Sequence, residues 1–312
     1  MKKSLIALAA LAFVGAASAQ SSVTLYGIAD IFVGDSDAVG SKVAAGSGGV
    51  NTSRWGIKGT EDLGGGLKAN FNFEQAVDLG NGAASGFTRQ ANVGLSGGFG
   101  VLKVGKSWNA LDDVFGAANS GFDSKLSANA GGVWLNGYAG EAAAQLHYTT
   151  PEFAGFTAAV STQLNGNVAS GNAAKGKTSA FNVTYAKGPV TAALGYENNK
   201  NTDLAPAQKG TMLNGSYDLG AAKLLGSYYT TKPTTGAKTN SYQLGADIPV
   251  TGALTVSVGF ASSKVSGTST TSRAFGVAGA YALSKRTTAY AGIRAANQTG
   301  KDLWAVGVNH KF

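Results

Sequence analysis

Cysteine is absent from this chain of 312 residues, which removes disulfides and thiolate metal sites from its chemistry. Histidine occurs only as His147 and His310, too few for a histidine metal centre. Nucleophilic catalysis needs a base beside the nucleophile, and neither histidine has a Ser-Asp constellation near it in sequence. Proline is limited to 5 residues, and charged residues make up 13% of the chain, low for a soluble surface. Helix-period patterns longer than a few turns are missing. The mean hydropathy of +0.01 lies far below that of a helical membrane protein. One long apolar run exists, from Leu5 to Ala16. It is shorter than the ~20 residues that a spanning helix needs.

That run has the form of a secretory signal. Lys2 and Lys3 precede it, and Ala17-Ser18-Ala19 offers a small-residue cleavage site before Gln20. We expect residues 1–19 to be removed, leaving a single unit at 20–312. The formal charge then falls from +8 to +6 with the loss of Lys2 and Lys3. A nucleic-acid role suggested by the basic balance does not fit an exported chain with scattered lysines. Gly64-Gly65-Gly66 does not cradle phosphate, because no helix follows it.

Glycine is abundant, at 46 residues, and alternation runs through most of the chain. In the last segment Trp304, Val306, Val308, His310 and Phe312 share one face, with Ala305, Gly307, Asn309 and Lys311 on the other. Leu25, Gly27, Ala29, Ile31 and Val33 oppose Tyr26 and Asp30. Trp55 and Ile57 oppose Arg54 and Lys58. Ala69, Phe71 and Phe73 oppose Lys68, Asn70, Asn72 and Glu74. The alternation is poorer over 87–97, where Arg89, Ala91, Val93 and Leu95 share parity, as suits a subunit contact. An apolar outside with a polar inside is the pattern of a transmembrane β-barrel.

Breaks in the alternation come in two kinds. Short ones lie at 61–66, 97–98, 150–152, 187–189, 218–220, 248–252 and 283–286, nearly all rich in turn residues. Long ones, polar and small, lie at 35–51, 79–86, 107–141, 165–177, 198–208, 232–238, 265–271 and 297–301. The two kinds alternate strictly. This predicts an all-β, 16-stranded antiparallel barrel with both termini on the short-turn side, and at this strand number the interior is wide enough for water.

Four motifs in order carry a specific resemblance: Ser22-Val23-Thr24-Leu25-Tyr26-Gly27, the stretch from Ser53 to Ala69, Leu283-Ser284-Lys285-Arg286-Thr287, and Gly307-Val308-Asn309-His310-Lys311-Phe312. Together they resemble the trimeric general porins of β-proteobacterial outer membranes. The resemblance implies a homotrimer in the outer membrane that passes small hydrophilic solutes and ions passively, without a cofactor. It implies that loop 3, about 107–141, folds inward to narrow the pore, and that Phe312 belongs to the signal read by the barrel-insertion machinery.

The resemblance also places site residues. Arg54 and Arg89 match basic residues of the family's inner wall, and Lys58 and Lys68 join them on the positive side of the pore. Glu74, Asp112 and Asp113 form the negative side, and loop 3 also carries Asp123 and Lys125. Glu141 stands where the family commonly has an arginine, so it adds an opposite charge and points to only weak anion preference. Two alternatives are a substrate-specific channel and a barrel that anchors an adhesive surface. Trp108, Phe115, Phe122, Trp134 and Tyr138 are too dispersed for an aromatic slide, and the loops are short and simple for adhesion.

Overall fold

A computed structural model describes residues 21–36, 43–130, 133–134, 138–164, 177–200, 208–298 and 302–312. The candidate signal at 1–19 lies outside the described residues, as do parts of the long breaks near 35–51, 107–141, 165–177, 198–208 and 297–301.

The chain forms β1 (Ser22–Ser36), β2 (Ala44–Ser47), β3 (Arg54–Gly64), β4 (Leu67–Ala76), β5 (Gln90–Gly97), β6 (Gly100–Trp108), β7 (Glu141–Thr149) and β8 (Phe156–Gln163). There follow β9 (Thr178–Lys187), β10 (Val190–Asn199), β11 (Gln208–Asp218), β12 (Lys223–Pro233) and β13 (Thr239–Pro249). The wall ends with β14 (Leu254–Val265), β15 (Thr271–Ala282), β16 (Thr287–Ala296) and β17 (Leu303–Lys311). From β3 to β17 each strand pairs antiparallel with the next, and β17 pairs back to β1 over Ile28–Ser36, so the sheet closes without a free edge. β2 and β3 take the upper and lower halves of one place beside β1, against Ile31–Gly34 and Ser22–Ile28 respectively. The barrel is therefore sixteen-stranded. The strand piece β2 corrects the reading of 35–51 as an uninterrupted break.

Apolar alternation decides which way each strand faces. Leu25, Ile31 and Val33 are exposed on the outside of β1, whereas Asp30 is fully buried inside. On β17, Trp304, Val306 and Val308 face out, and Ala305 and Asn309 face in. The seven short turns fall where expected. At Gly64, Gly65 and Gly66 the backbone takes φ of 85°, 62° and 80°, a left-handed run that L side chains resist. The segment 87–97 departs from its expected parity because β5 begins only at Gln90. Arg89 sits in a bend before the strand and is free to turn inward, while Val93 and Leu95 face out.

The apolar core of the described residues lies inside the barrel, between loop 3 and the wall. Ala110, Leu111 and Val114 pack on Ala180, Ala193, Met212 and Tyr229, with Val133 and Trp134 in the same cluster.

Candidate functional site

Loop 3 leaves β6 after Trp108, forms the short helix α1 (Asp112–Phe115) and a 3-10 turn at Gly121–Asp123, and returns to β7 at Glu141. A polar loop buried in a barrel must find partners for its own N–H and C=O groups. The inner wall supplies them strand by strand. Ser161 on β8 accepts from the Ala110 N–H at 2.9 Å, and Asn182 on β9 donates to the Ala110 carbonyl at 2.6 Å. Glu197 on β10 accepts from Asn109 at 2.5 Å and from the Ala139 N–H at 3.0 Å, gripping the loop near both ends. Asn214 on β11 donates to the Val114 carbonyl, and Ser227 on β12 donates to the Ala118 carbonyl at 3.1 Å. Gln243 on β13 accepts from the Ser120 N–H at 3.2 Å, and Ser257 on β14 from the Gly121 N–H at 2.5 Å. Arg294 on β16 completes the row by donating to the Lys125 carbonyl. Asn214, Ser227 and Gln243 stand directly opposite one another in register.

Steric room is as specific as the hydrogen bonds. A Cβ added at Gly259 would lie 1.8 Å from Ser120 Oγ, and one at Gly276 would lie 2.5 Å from the Leu126 carbonyl oxygen. The wall is thus cut back to glycine where the loop touches it.

Opposite the loop stands a basic group built on β1, β3, β4 and the bend before β5. Glu74 is its centre. Arg89 Nε lies 2.7 Å from Glu74 Oε1, Arg54 Nε lies 3.4 Å from Glu74 Oε2, and Tyr26 donates its hydroxyl to Oε2 at 2.9 Å. Arg89 also stacks its guanidinium over Trp108, 5.1 Å from the ring centroid. Lys58 Nζ sits 5.0 Å over the Tyr26 ring. Glu74, expected on the negative side of the pore, is thus paired with two residues expected on the positive side. Its side chain is only 9% exposed, and the pair of arginines keeps a net charge of one.

Between this wall and loop 3 lies a cavity of about 470 Å³, bordered by Arg54 on one side and by Asp123, Lys125, Phe115 and Asn119 of the loop on the other. Asn119 donates to Asp123 at 2.7 Å, and Lys125 Nζ reaches back to the Ser47 carbonyl at 2.7 Å. Burial raises the Asp123 carboxyl above its ordinary range, against the Asn119 hydrogen bond.

The remaining site residues divide. Asp112 accepts the Tyr138 hydroxyl. Burial pushes its carboxyl up to about 6; that hydrogen bond opposes the rise, Asp113 and Asp123 add to it, and Arg89 counters it. Asp113 pairs with buried His147, Oδ2 to Nε2 at 3.2 Å, which ties α1 to β7. The fold thus brings to His147 a carboxylate that the sequence places far away. Lys68 does not join the group. It is opposite Asp62 beside the Gly64–Gly66 turn, six residues below Glu74, or ~20 Å along the strand.

Glu141 also has a charged partner. Its carboxylate lies 3.3 Å from Lys106 Nζ, and its register partner is Trp108. Ser107, Ala142 and Gln145 are buried there, whereas the Lys106 and Glu141 side chains are partly exposed. The ladder between β6 and β7 is bulged at this point. Three residues of β7 span two of β6 between Gly105 and Ser107, and Ala144 takes φ of 50°.

A closed barrel with an apolar exterior, a polar interior and an inward loop facing fixed charges is a β-barrel channel of the outer-membrane type. This chain belongs to the Gram-negative porin family, whose model matches residues 5–301. It is 37% identical to outer membrane porin protein 32 of Delftia acidovorans, over all of this chain and 93% of that one. It is 32% identical to an outer membrane porin of Bordetella pertussis over the whole of both chains. Among solved structures, the anion-selective porin from Comamonas acidovorans superposes with a TM-score of 0.81 at 29% identity, covering 94% of this chain and 100% of that one. A Vibrio cholerae outer membrane protein in its trimer form shares the fold, with a TM-score of 0.72 at 16% identity. The protein is an outer-membrane channel for passive diffusion.

Proposed function

We propose that the passage between Arg54 and loop 3 is the constriction of a general porin, and that it passes small hydrophilic solutes with a weak preference for anions. The observation that carries this reading is the pairing of Arg54 and Arg89 with a single carboxylate, Glu74, which leaves one uncompensated positive charge on the wall beside Lys58. Asp112, Asp113 and Asp123 on the loop supply the opposing sign and keep the preference weak. A field across a narrow aqueous gap orients water and polar solutes. Lys68 acts at most from a distance, since exposed charges beyond ~10 Å are screened at 0.1 M salt.

The similar anion-selective porin supports the sign of the preference, and a trimeric assembly is supported by the trimer form of a structure with the same fold. Residues 1–19 fit a cleaved export signal, and Phe312 fits an assembly signal. Liposome swelling tests the reading. Neutral sugars of graded size should enter at rates that fall smoothly with size, without saturation. Uptake that saturates for one solute, and is competed by it, contradicts a general porin and supports a substrate-specific channel.

A further inference from the structure

One buried carboxylate inside the barrel has no place in the charge pattern of the pore. Asp30 on β1 is fully buried. Tyr290 on β16 and Asn309 on β17 donate to it at 2.6 and 2.8 Å, across the closure of the sheet. Three more donors belong to none of these strands. The N–H groups of Gly49, Val50 and Asn51 reach its two oxygens at 2.7, 3.2 and 2.9 Å.

Those three residues lie in the turn that links β2 to β3. Gly48 opens it at φ of 72°, and its N–H donates to the Asp30 carbonyl at 2.8 Å. Ser53 closes it, its hydroxyl donating to the Asp30 carbonyl at 2.8 Å and accepting from the Asp30 N–H at 3.0 Å. A carboxylate that accepts successive backbone N–H groups fixes the turn that presents them, because such charge-assisted bonds are strong.

The turn is thereby held inside the barrel, where it meets both sides of the candidate constriction. Its Thr52 carbonyl accepts from Arg54 Nη1 at 3.1 Å. Its Gly49 carbonyl accepts from the Lys125 N–H of loop 3 at 3.0 Å. Lys125 Nζ lies 5.1 Å over the Phe32 ring as it reaches the Ser47 carbonyl. Val50 packs with Leu126, Tyr290 and Leu303 in an apolar cluster of their own. Val50, Asn51 and Thr52 line the same cavity as Arg54, Asp123 and Lys125. The far end of loop 3 is therefore held by this turn as well as by Arg294.

We infer that residues 48–52 are a second inward element of the constriction, and that Asp30 is the positioning residue that seats them against loop 3. The inference rests on the reading of the Arg54 passage as the constriction. Asp30 is enclosed and touches no solute, so it acts through the backbone of the turn.

Thiol reactivity and conductance test this together. The chain has no cysteine, so Leu126→Cys introduces a lone thiol at a fully buried position of loop 3. A water-soluble methanethiosulfonate should modify it slowly in the purified oligomer. Adding Asp30→Ala should speed modification roughly tenfold or more, the scale of one charge-assisted hydrogen bond. Asp30→Ala without the reporter should raise single-channel conductance. If it fails to assemble, Gly49→Ala tests the turn from its own side, since the added Cβ would meet the Tyr290 hydroxyl. Tyr290→Phe removes a strand contact of the carboxylate but spares its turn contacts, so it should change neither readout. Unchanged modification and conductance in the folded Asp30→Ala or Gly49→Ala variant overturn the inference. So does equal acceleration by Tyr290→Phe, which would confine the carboxylate to closing the sheet. Faster modification at unchanged conductance also overturns it, because the turn would then lie off the narrowest section. Arg54→Ala separates this inference from the reading beneath it. If it moves the zero-current potential while Asp30→Ala moves nothing, the passage stands and only the role of Asp30 falls. If it leaves the potential unmoved in dilute salt, the constriction falls and the role of Asp30 with it.

Discussion

Glu74 is the residue on which the sign of the pore turns. It joins Arg54, Arg89 and Tyr26 in one cluster, so removing its charge leaves two arginines uncompensated. Glu74→Gln should move the zero-current potential toward anions, and Arg54→Ala should move it toward cations. A unit charge ~6 Å from a permeating ion in water is worth about 0.7 kcal/mol, so each change should alter the permeability ratio roughly threefold to tenfold in dilute salt. Glu141→Arg should move it less, because that carboxylate is already paired with Lys106. Asp112 adds a pH dependence. Its carboxyl titrates near pH 6, so lowering pH from 7.5 to 5 removes one negative charge from the loop and should strengthen anion preference. Asp112→Asn should abolish that step. The raised value also means that protonation favours the packed loop. This stability is fully present below the ordinary carboxylate range and is lost as pH rises through 6.

At the scale of elements, loop 3 is held by the wall rather than by its own helix, since α1 spans only Asp112–Phe115. Gly259→Leu forces a side chain into Ser120, and Gly276→Val forces one into the Leu126 carbonyl. Both should unseat the loop and raise single-channel conductance while the barrel remains folded. Asn214→Ala should act more mildly, by leaving the Val114 carbonyl without its partner, at about 1–3 kcal/mol. Unchanged conductance in both glycine variants would mean that the loop does not set the narrowest section.

Much of this was legible in the chain. Strict alternation located the strands and all seven short turns, because one residue of every two meets lipid. Arg54, read as inward from its parity with Lys58, pairs with the buried Glu74. Sequence parity failed at the bulge around Ala144, which shifts the register of β7 against β6 just before Glu141. It failed again before β5, where Arg89 is not in a strand. The clamps at Ser161, Asn182, Glu197, Asn214 and Gln243 were invisible. Their roles depend on register across strands far apart in sequence, and polar inward residues are expected in any barrel.

For the whole molecule, closure joins the chain's ends. Phe312 exchanges backbone hydrogen bonds with Gly27 at 3.0 and 3.1 Å, and its ring covers that glycine. Deleting Phe312 should sharply reduce barrel yield while synthesis and export continue, measured as heat-modifiable protein in the outer membrane. The central claim concerns the water-filled path between the Arg54 wall and loop 3. Single-channel recording of the purified oligomer in a dilute salt gradient tests it most directly. The account predicts stable open channels, a zero-current potential slightly on the anion side, and displacement toward cations in Arg54→Ala that shrinks as salt rises. A sealed barrel, or a potential that Arg54→Ala and Glu74→Gln both leave unmoved in dilute salt, would contradict it.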